Sequence, residues 1–264
     1  MAFIVDIRRQ AVVQHLMFKA VFEMSKDRAD FISLLFSKPR PAGLESTTPI
    51  QKLWAPYLQG PSDGDMATKT YARIVELLTK THGFTLTPDE LSQLGSVFQA
   101  FQFFGPGIST RGSGGGGNGT LTFADLTGWA SDATGEVQSF LSSEENFRIV
   151  KALHDKNLIV PLSGDFGGPK TIRAVGDYLK RQGGTVSAFY VSNVEQYLFQ
   201  DSKATAFYEN VASLPVTATS VFIRPYSMRR GGGETQSLCA IGQFVAAAGA
   251  GRVYNNNDAL ACVR

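Results

Sequence analysis

The sequence predicts an α/β protein of the Rossmann-like class, with a mostly parallel sheet and an α-rich insertion. Three observations support this. Residues 157–198 follow the order strand, turn, helix, turn, strand, helix start, which is typical of a β-α-β unit. Strands continue to alternate with helices after this stretch, as in parallel α/β sheets. A long, mainly helical stretch, residues 25–155, separates the first strand from the later ones.

The central unit contains two predicted strands joined by one helix. Leu158–Leu162 is a short, continuously apolar run, which predicts a strand buried on both faces. Pro169 suits the first position of a helix, and Gly183-Gly184 ends that helix. Thr185–Val191 is rich in β-forming residues and predicts the second strand. We therefore expect these two strands to lie parallel, with a right-handed connection.

The N-terminal part predicts a strand followed by helices. Ala2–Val5 predicts a short buried strand that ends at Asp6. In the following helix, the apolar residues recur at helical spacing, and His15 and Lys19 fall outside that apolar face. The residues of this face are Val12, Val13, Leu16, Met17, Ala20, Val21 and Met24. Asp27–Phe36 continues as a helix until prolines interrupt it.

The α-rich insertion is predicted from helix-start signals. Thr87-Pro88-Asp89-Glu90 combines a capping box with a proline at the first helical position. Ser142–Glu145 is a second capping box, before a helix that leads into the central unit. Residues 105–119 are rich in glycine and serine and predict a flexible loop. Thr120–Phe123 predicts a short strand.

The C-terminal part predicts two helices, a strand and a turn. A helix runs from Leu198 to about Val211, and Thr219–Arg224 predicts a strand. Thr235–Ala248 predicts a helix that stops at Gly249, and Asn255–Asp258 predicts a turn. Together the elements predict one Rossmann-like domain over residues 1–264.

Composition limits the classes of partner. The net charge is +2, so we expect no nucleic-acid partner and no membrane attraction. No apolar run reaches the roughly 18 residues that span a bilayer. The two cysteines, Cys239 and Cys262, argue against a disulfide framework and are compatible with a reducing cytoplasmic setting. The three histidines are scattered and give no metal-ligand spacing.

The candidate site follows from the rule that ligands bind at the carboxyl ends of the strands in open α/β sheets. Asp6 ends the first predicted strand, where an acidic residue can accept hydrogen bonds from ribose hydroxyls. Arg8 and Arg9 follow it and could meet an anionic ligand. The alternative is that Asp6 is an ordinary strand-end aspartate and that the two arginines lie on a solvated turn.

The turn after Leu162 is the second candidate. Its sequence, Gly164-Asp165-Phe166-Gly167-Gly168, could bring backbone N–H groups to a ligand at a helix N-terminus. Asp165 and Gly167 are the candidate binding residues. A tight strand-to-helix turn would explain the same glycines.

The third candidate follows the second central strand. Ser192, Asn193 and Glu195 could contribute polar side chains to a cofactor site. The spacings Ser192-x-x-Glu195 and Asn193-x-x-Gln196 also fit a capping box, and capping does not exclude ligand binding. The sequence contains neither G-x-S-x-G nor G-x-x-x-x-G-K-[ST], so it offers no signature of a hydrolase nucleophile elbow or of a P-loop.

Several of these segments resemble a bacterial family of uncharacterised proteins related to Rossmann-like, S-adenosylmethionine-dependent methyltransferases. The heptapeptide SNVEQYL at residues 192–198 is the most specific of them. The longer segments are MAFIVDIRRQ at 1–10, HLMFKAVFEMSKDRADFISLLFSKPRP at 15–41, NLIVPLSGDFGGPKTIRAVGDYLKRQGGTVSAFYVSNVEQYLF at 157–199 and FIR at 222–224.

The resemblance implies S-adenosylmethionine as the cofactor. Asp6 would bind its ribose, and Asp165 and Asn193 would line the cofactor or acceptor site. The resemblance identifies no catalytic residue. Methyl transfer depends mostly on positioning donor and acceptor, so a catalytic motif is not required. A non-catalytic nucleotide- or ligand-binding or scaffold protein with the same fold is the main alternative, and another nucleotide-dependent enzyme is a third.

The resemblance also implies an element that precedes the first strand. Family members carry a further strand and a glycine-rich turn immediately upstream of the segment that resembles IVDIRR. This sequence begins after that element. We therefore expect a first strand and a glycine-rich turn to be missing, and Met1 to be an internal methionine or a wrongly assigned start of a longer gene product.

Overall fold

A computed structural model describes residues 1–109, 120–132, 134–226 and 235–262, and it divides the chain into two compact units. Unit 1 comprises Met1–Ile4 and Arg9–Pro161. Unit 2 comprises Val5–Arg8 and Leu162–Arg264. Helices and strands both occur, and two of the strand pairs are parallel, so the mixed α/β class is confirmed.

Unit 1 is built from helices. The α-helices in the described part of this unit are α1 (Arg9–Met24), α2 (Arg28–Phe36), α3 (Ile50–Trp54), α4 (Gly64–Glu76), α5 (Pro88–Phe104), α6 (Phe123–Gly128) and α7 (Glu144–Asp155). Shorter helical turns are a π turn at Leu77–Thr81 and 3-10 turns at Ala55–Tyr57 and Gly105–Gly107.

The core of unit 1 forms where the predicted apolar face of α1 meets aromatic side chains. Phe22 on α1 packs against Phe31 and Phe147, with ring centroids 4.5 Å and 5.5 Å away. Such aromatic contacts stabilise a core beyond the area they bury. The predicted face is buried except for Met24, which is partly buried. Lys19 lies outside that face, and its side chain is buried as well.

The helix-start signals were mostly correct. The Thr87 side chain accepts from the Glu90 N–H, and the Glu90 side chain accepts from the Thr87 N–H, so the predicted capping box forms. The second capping box was wrong by one residue, because Ser143 caps α7 by accepting from the Asn146 N–H. The strand predicted at Thr120–Phe123 is reduced to a single bridge between Ser109 and Thr122.

The two strands β1 (Ala2–Asp6) and β2 (Ile159–Ser163) form one sheet. The Ala2 N–H donates to the Leu158 carbonyl at 2.7 Å, and the Gly164 N–H donates to the Asp6 carbonyl at 2.9 Å. These bonds at opposite ends of the pair define a parallel arrangement. All residues of both strands are exposed or partly exposed, so the prediction of buried strands was wrong.

The second sheet lies in unit 2 and has the order β3-β4-β5. Its strands are β3 (Val186–Tyr190), β4 (Val216–Tyr226) and β5 (Thr235–Ala240). Strands β3 and β4 are parallel, whereas β4 and β5 are antiparallel. Phe189, Phe222 and Cys239 lie in register across this sheet, on the side of the unit 2 core.

The strand pairing differs from the prediction for the central unit. In the described chain, β2 is hydrogen-bonded to β1 and β3 is hydrogen-bonded to β4, so β2 and β3 are not neighbours in one sheet. The described strands therefore form two small sheets rather than the single, mostly parallel sheet that we predicted.

The helices of unit 2 correct several further boundaries. They are α8 (Thr171–Arg181), α9 (Val194–Gln200), α10 (Ala204–Ala212), α11 (Ile241–Gly249) and α12 (Asn256–Leu260). Helix α8 begins at Thr171 rather than Pro169. The single helix predicted after Leu198 is two helices, which are separated near Ser202, a residue with a φ of 59°. The predicted helix at Thr235–Ala248 is β5 followed by α11, and the predicted turn at Asn255–Asp258 is the start of α12.

Two further predictions concern the loop and the cysteines. Most of the glycine-rich loop, residues 110–119, lies outside the described residues. Cys239 on β5 and Cys262 after α12 are paired as a disulfide, with Cα atoms 5.7 Å apart, whereas the sequence argued against a disulfide framework. Among the described helices, none has the length and apolar character needed to cross a bilayer.

Candidate functional site

The carboxyl ends of β1 and β2 bring Asp6 close to the glycine-rich turn. The Gly164 N–H donates to the Asp6 carbonyl at 2.9 Å, and the Ser163 Oγ donates to the Ile7 carbonyl at 3.5 Å. All four residues belong to unit 2. Because parallel strands end at the same edge of a sheet, two of the predicted site segments are neighbours at this edge.

Asp6 holds Arg8 at this edge. The Asp6 Oδ1 accepts from the Arg8 backbone N–H at 2.7 Å and from the Arg8 Nε at 3.2 Å, and Oδ2 accepts from Nη2 at 3.2 Å. The hydrogen bond to Asp6 raises the pKa of Arg8. The Arg8 side chain is 72% exposed and that of Asp6 29%. The Asp6 carboxylate is thus held by Arg8, and the Arg8 guanidinium reaches solvent at this edge.

Asp165 organises the turn after β2. Its Oδ2 accepts from the Lys203 Nζ at 2.6 Å, and its Oδ1 accepts from the Gly167 N–H at 2.9 Å. The hydrogen bond from Lys203 is the main cause that lowers the pKa of Asp165. The Gly168 N–H donates to the Asp165 carbonyl at 3.1 Å. Both glycine N–H groups therefore bind Asp165 itself, and the turn is closed by internal hydrogen bonds.

The glycines of this turn allow close packing. A Cβ at Gly164 would lie 1.8 Å from the Thr171 Oγ1, and one at Gly167 would lie 2.9 Å from the Lys203 Cβ. Neither position can hold a side chain without a shift of its neighbour. These contacts explain the glycine-rich sequence as a tight strand-to-helix turn, which was one of its two interpretations.

Two residues that the sequence did not single out complete the turn. The Asn210 side chain donates from Nδ2 to the carbonyls of Phe166 and Gly168 at 2.9 Å and 2.8 Å, and its Oδ1 accepts from the Arg173 Nε at 2.7 Å. Lys203 is the other. Both lie far along the chain on segments without a motif, so only the tertiary structure identifies them.

Ser192 and Asn193 follow β3. Ser192 has a φ of 44°, and its Oγ donates to the Asn193 Oδ1 at 3.3 Å. Asn193 is the N-cap of α9, but its side chain makes no capping hydrogen bond. The capping box suggested by the sequence is therefore absent from this described segment, and the two exposed polar side chains are engaged with each other.

Glu195 is buried in a hydrogen-bonded cluster of unit 2. Its Oε2 accepts from the Arg224 Nε at 2.7 Å, and its Oε1 accepts from the Arg224 Nη2 and from the Tyr208 hydroxyl, both at 2.8 Å. The Arg224 Cζ lies over the rings of Phe222 and Phe244, 4.2 Å and 4.1 Å from their centroids. Burial and the neighbouring Glu195 raise the pKa of Tyr208. Both carboxylate oxygens of Glu195 are thus used inside the protein.

One protein-family model matches the part of the chain that carries several of these residues. Residues 126–240 match a model described as Domain of unknown function (DUF7790). The match includes the turn at Asp165 and the segment with Ser192, Asn193 and Glu195. It covers less than half of the chain and leaves out Asp6 and Arg8. No curated protein matches this sequence.

Proposed function

We propose that the carboxyl edge of β1 and β2 binds a nucleoside-bearing ligand, with S-adenosylmethionine as the cofactor of a methyltransferase-like enzyme. The observation that carries the proposal is the hydrogen bond from the Gly164 N–H to the Asp6 carbonyl. It places an acidic residue beside the glycine-rich turn, where α/β proteins bind nucleosides. The choice of S-adenosylmethionine depends on the sequence resemblance.

The side chains at this edge suit different parts of such a ligand. Asp6 has a carboxylate that can accept hydrogen bonds from ribose hydroxyls. Arg8 can bind a ligand carboxylate in bidentate geometry. Asp165, whose carboxylate is paired with Lys203, would line the same edge. Bound S-adenosylmethionine would supply the transferable methyl group, whereas these residues would hold and orient it.

A different observation favours a non-catalytic binding protein. Glu195, in the segment most specific to the resemblance, uses both carboxylate oxygens in the cluster with Arg224 and Tyr208. Asp165 similarly binds Lys203 and Gly167. Carboxylates whose two oxygens both accept hydrogen bonds from the protein itself stabilise the fold and are not free for acid–base chemistry. A scaffold that binds the ligand without turnover is therefore the second candidate.

Replacement of Asp6 tests the proposed ribose contact. Asp6→Ala should weaken binding of S-adenosylmethionine by about 1–3 kcal/mol, which is the usual value of a hydrogen bond to a charged group. Isothermal titration calorimetry on the full chain measures this change. The free energy of unfolding should change by less than about 1 kcal/mol, because the hydrogen bonds that Arg8 donates to Asp6 are exposed.

Asp177→Ala is the matched control, since Asp177 is an exposed aspartate on α8. It should bind the cofactor as the parent chain does. Equal affinity of Asp6→Ala and the parent would remove Asp6 from the site, and no binding by the parent would reject the cofactor. Transfer of a methyl group to an acceptor in cell extract would support the enzyme, whereas binding without transfer would support the scaffold.

A further inference from the structure

A buried cluster of charged and polar groups in unit 1 joins the C-terminal end of α7 to α1. The Lys19 Nζ donates to the His154 carbonyl at 2.9 Å and to the Asn157 Oδ1 at 2.7 Å, and it also binds Glu23. The Glu23 Oε2 lies 2.6 Å from the His82 Nε2. Lysine is rarely buried in this way, and here its three N–H donors all have acceptors.

His154 occupies the centre of this contact. Its side chain lies in the last turn of α7 and only 5% of the residue is exposed. The ring stacks on Phe22, with centroids 4.6 Å apart and an angle of 19° between the planes. Among the described residues, nothing hydrogen-bonds its Nδ1. The site therefore accommodates a neutral imidazole and offers no acceptor for a proton on Nδ1.

We propose that His154 is a pH-sensitive contact between two helices. Protonation of its ring releases the C-terminal end of α7 from α1. A proton on Nδ1 would place a second buried positive charge beside the Lys19 ammonium. It would also bury an N–H donor without an acceptor. Both effects favour an open arrangement in which water solvates the imidazolium. Opening would withdraw the two acceptors of Lys19 at this end of α7.

The charges around His154 act in opposite directions. Burial, Lys19 and His15 lower its pKa, whereas Glu23 and Asp155 raise it. The lowering effects are larger, and the pKa falls to about 4. Two further groups lie on the elements packed here. Lys151 on α7 donates to the carbonyls of Phe22 and Glu23, and His82 is paired with Glu23.

The direction of the pH effect follows from this lowered pKa. In the open arrangement, the pKa of His154 is near its ordinary value of about 6.5. The ring therefore binds a proton more readily there than in the closed arrangement. The closed arrangement is therefore fully favoured above pH 6.5 and is progressively lost as the pH falls towards 4. At pH 5 the opening equilibrium should shift by about 30-fold in favour of the open form.

Amide hydrogen exchange of the full chain tests this pH-dependent opening. The amide exchange rates of residues 148–157, each divided by its intrinsic rate, should be about 30-fold higher at pH 5 than at pH 7.5. His154→Phe keeps a planar ring against Phe22 and removes the titrating group, so the increase should be less than about threefold. His82→Asn controls for the partly buried pair of His82 with Glu23 and should behave as the parent chain does. Amides of α5 provide the internal reference.

Three results would overturn the proposal. One is an equal increase in the parent and in His154→Phe. Another is an equal loss of protection in α5, which would mean unfolding of the whole unit. The third is an NMR titration of the parent chain in which the His154 ring has a pKa near 6.5, because the closed site would then not disfavour the protonated ring. This measurement needs no variant, so it applies even if His154→Phe does not fold.

Discussion

Glu195→Ala should lower the free energy of unfolding by about 3–5 kcal/mol, the usual effect of removing one member of a buried ion pair. The variant would leave the Arg224 guanidinium buried against two phenylalanine rings without its anion. Arg224 is 0% exposed, and its Nη1 already has no hydrogen-bond partner among the described residues. The lost bonds cannot be replaced by water without opening the core. Urea denaturation followed by circular dichroism measures the change.

Two variants separate the charge from the packing. Tyr208→Phe removes one hydrogen bond to Glu195 and keeps the ion pair, so it should cost about 1–2 kcal/mol. The double variant Glu195→Leu with Arg224→Met replaces both charges with apolar groups. It should be more stable than either single variant, because no unpaired charge remains. A single Glu195→Ala cost below about 1 kcal/mol would contradict the account of a strongly coupled pair.

Arg28→Ala should cost a similar amount, about 3–5 kcal/mol, because Arg28 connects separate segments of unit 1 from a buried position. Its Nη1 donates to the carbonyls of Leu141 and Ser142, both at 2.9 Å. Its Nη2 donates to Ser46 at 2.9 Å and to Thr48. Without the guanidinium, these carbonyls lose their donor and two loops lose their anchor on α2. Thermal and urea unfolding should both show the loss.

Arg148 provides the matched control for Arg28. Both arginines pair with Glu144, at 3.8 Å for Arg28 and 3.3 Å for Arg148, but the Arg148 side chain is 70% exposed. Arg148→Ala should therefore cost less than about 0.5 kcal/mol. Arg28→Lys should have an intermediate effect, because one ammonium cannot reproduce the planar guanidinium geometry. If Arg28→Ala and Arg148→Ala cost the same, the four carbonyl bonds would contribute little.

The local elements could be predicted from the sequence because their signals are local. The apolar face of α1 and the Thr87 capping box depend on residues within a few turns of each other. Strand pairing depends on partners far along the chain. Nothing in the apolar run at 158–162 indicates that β1 alone would pair with it, leaving it partly exposed. The segment at 235–248 fits strand and helix patterns equally over short windows, and it contains both.

The candidate site was predictable only in part. Asp6 and the turn at Gly164 were indicated by the general position of ligands at strand ends, and the structure places them together. Glu195 was indicated by its polar neighbours, but nothing in the sequence pairs it with Arg224, which lies 29 residues away. Lys203 lies 38 residues from Asp165. Such partners are determined by tertiary packing, which also decides whether a carboxylate faces a ligand or an arginine.

The division of the chain has a consequence for synthesis on the ribosome. Val5–Arg8 belongs to unit 2, yet its partner Ser163 lies 156 residues after Ile7. At the usual elongation rates, roughly 10–30 seconds pass between translation of these two segments. Unit 1 can begin to fold during this delay, whereas unit 2 can be completed only after residue 163 has emerged. A nascent chain stalled before that residue would therefore expose the first strand without the partners that it has in the finished protein.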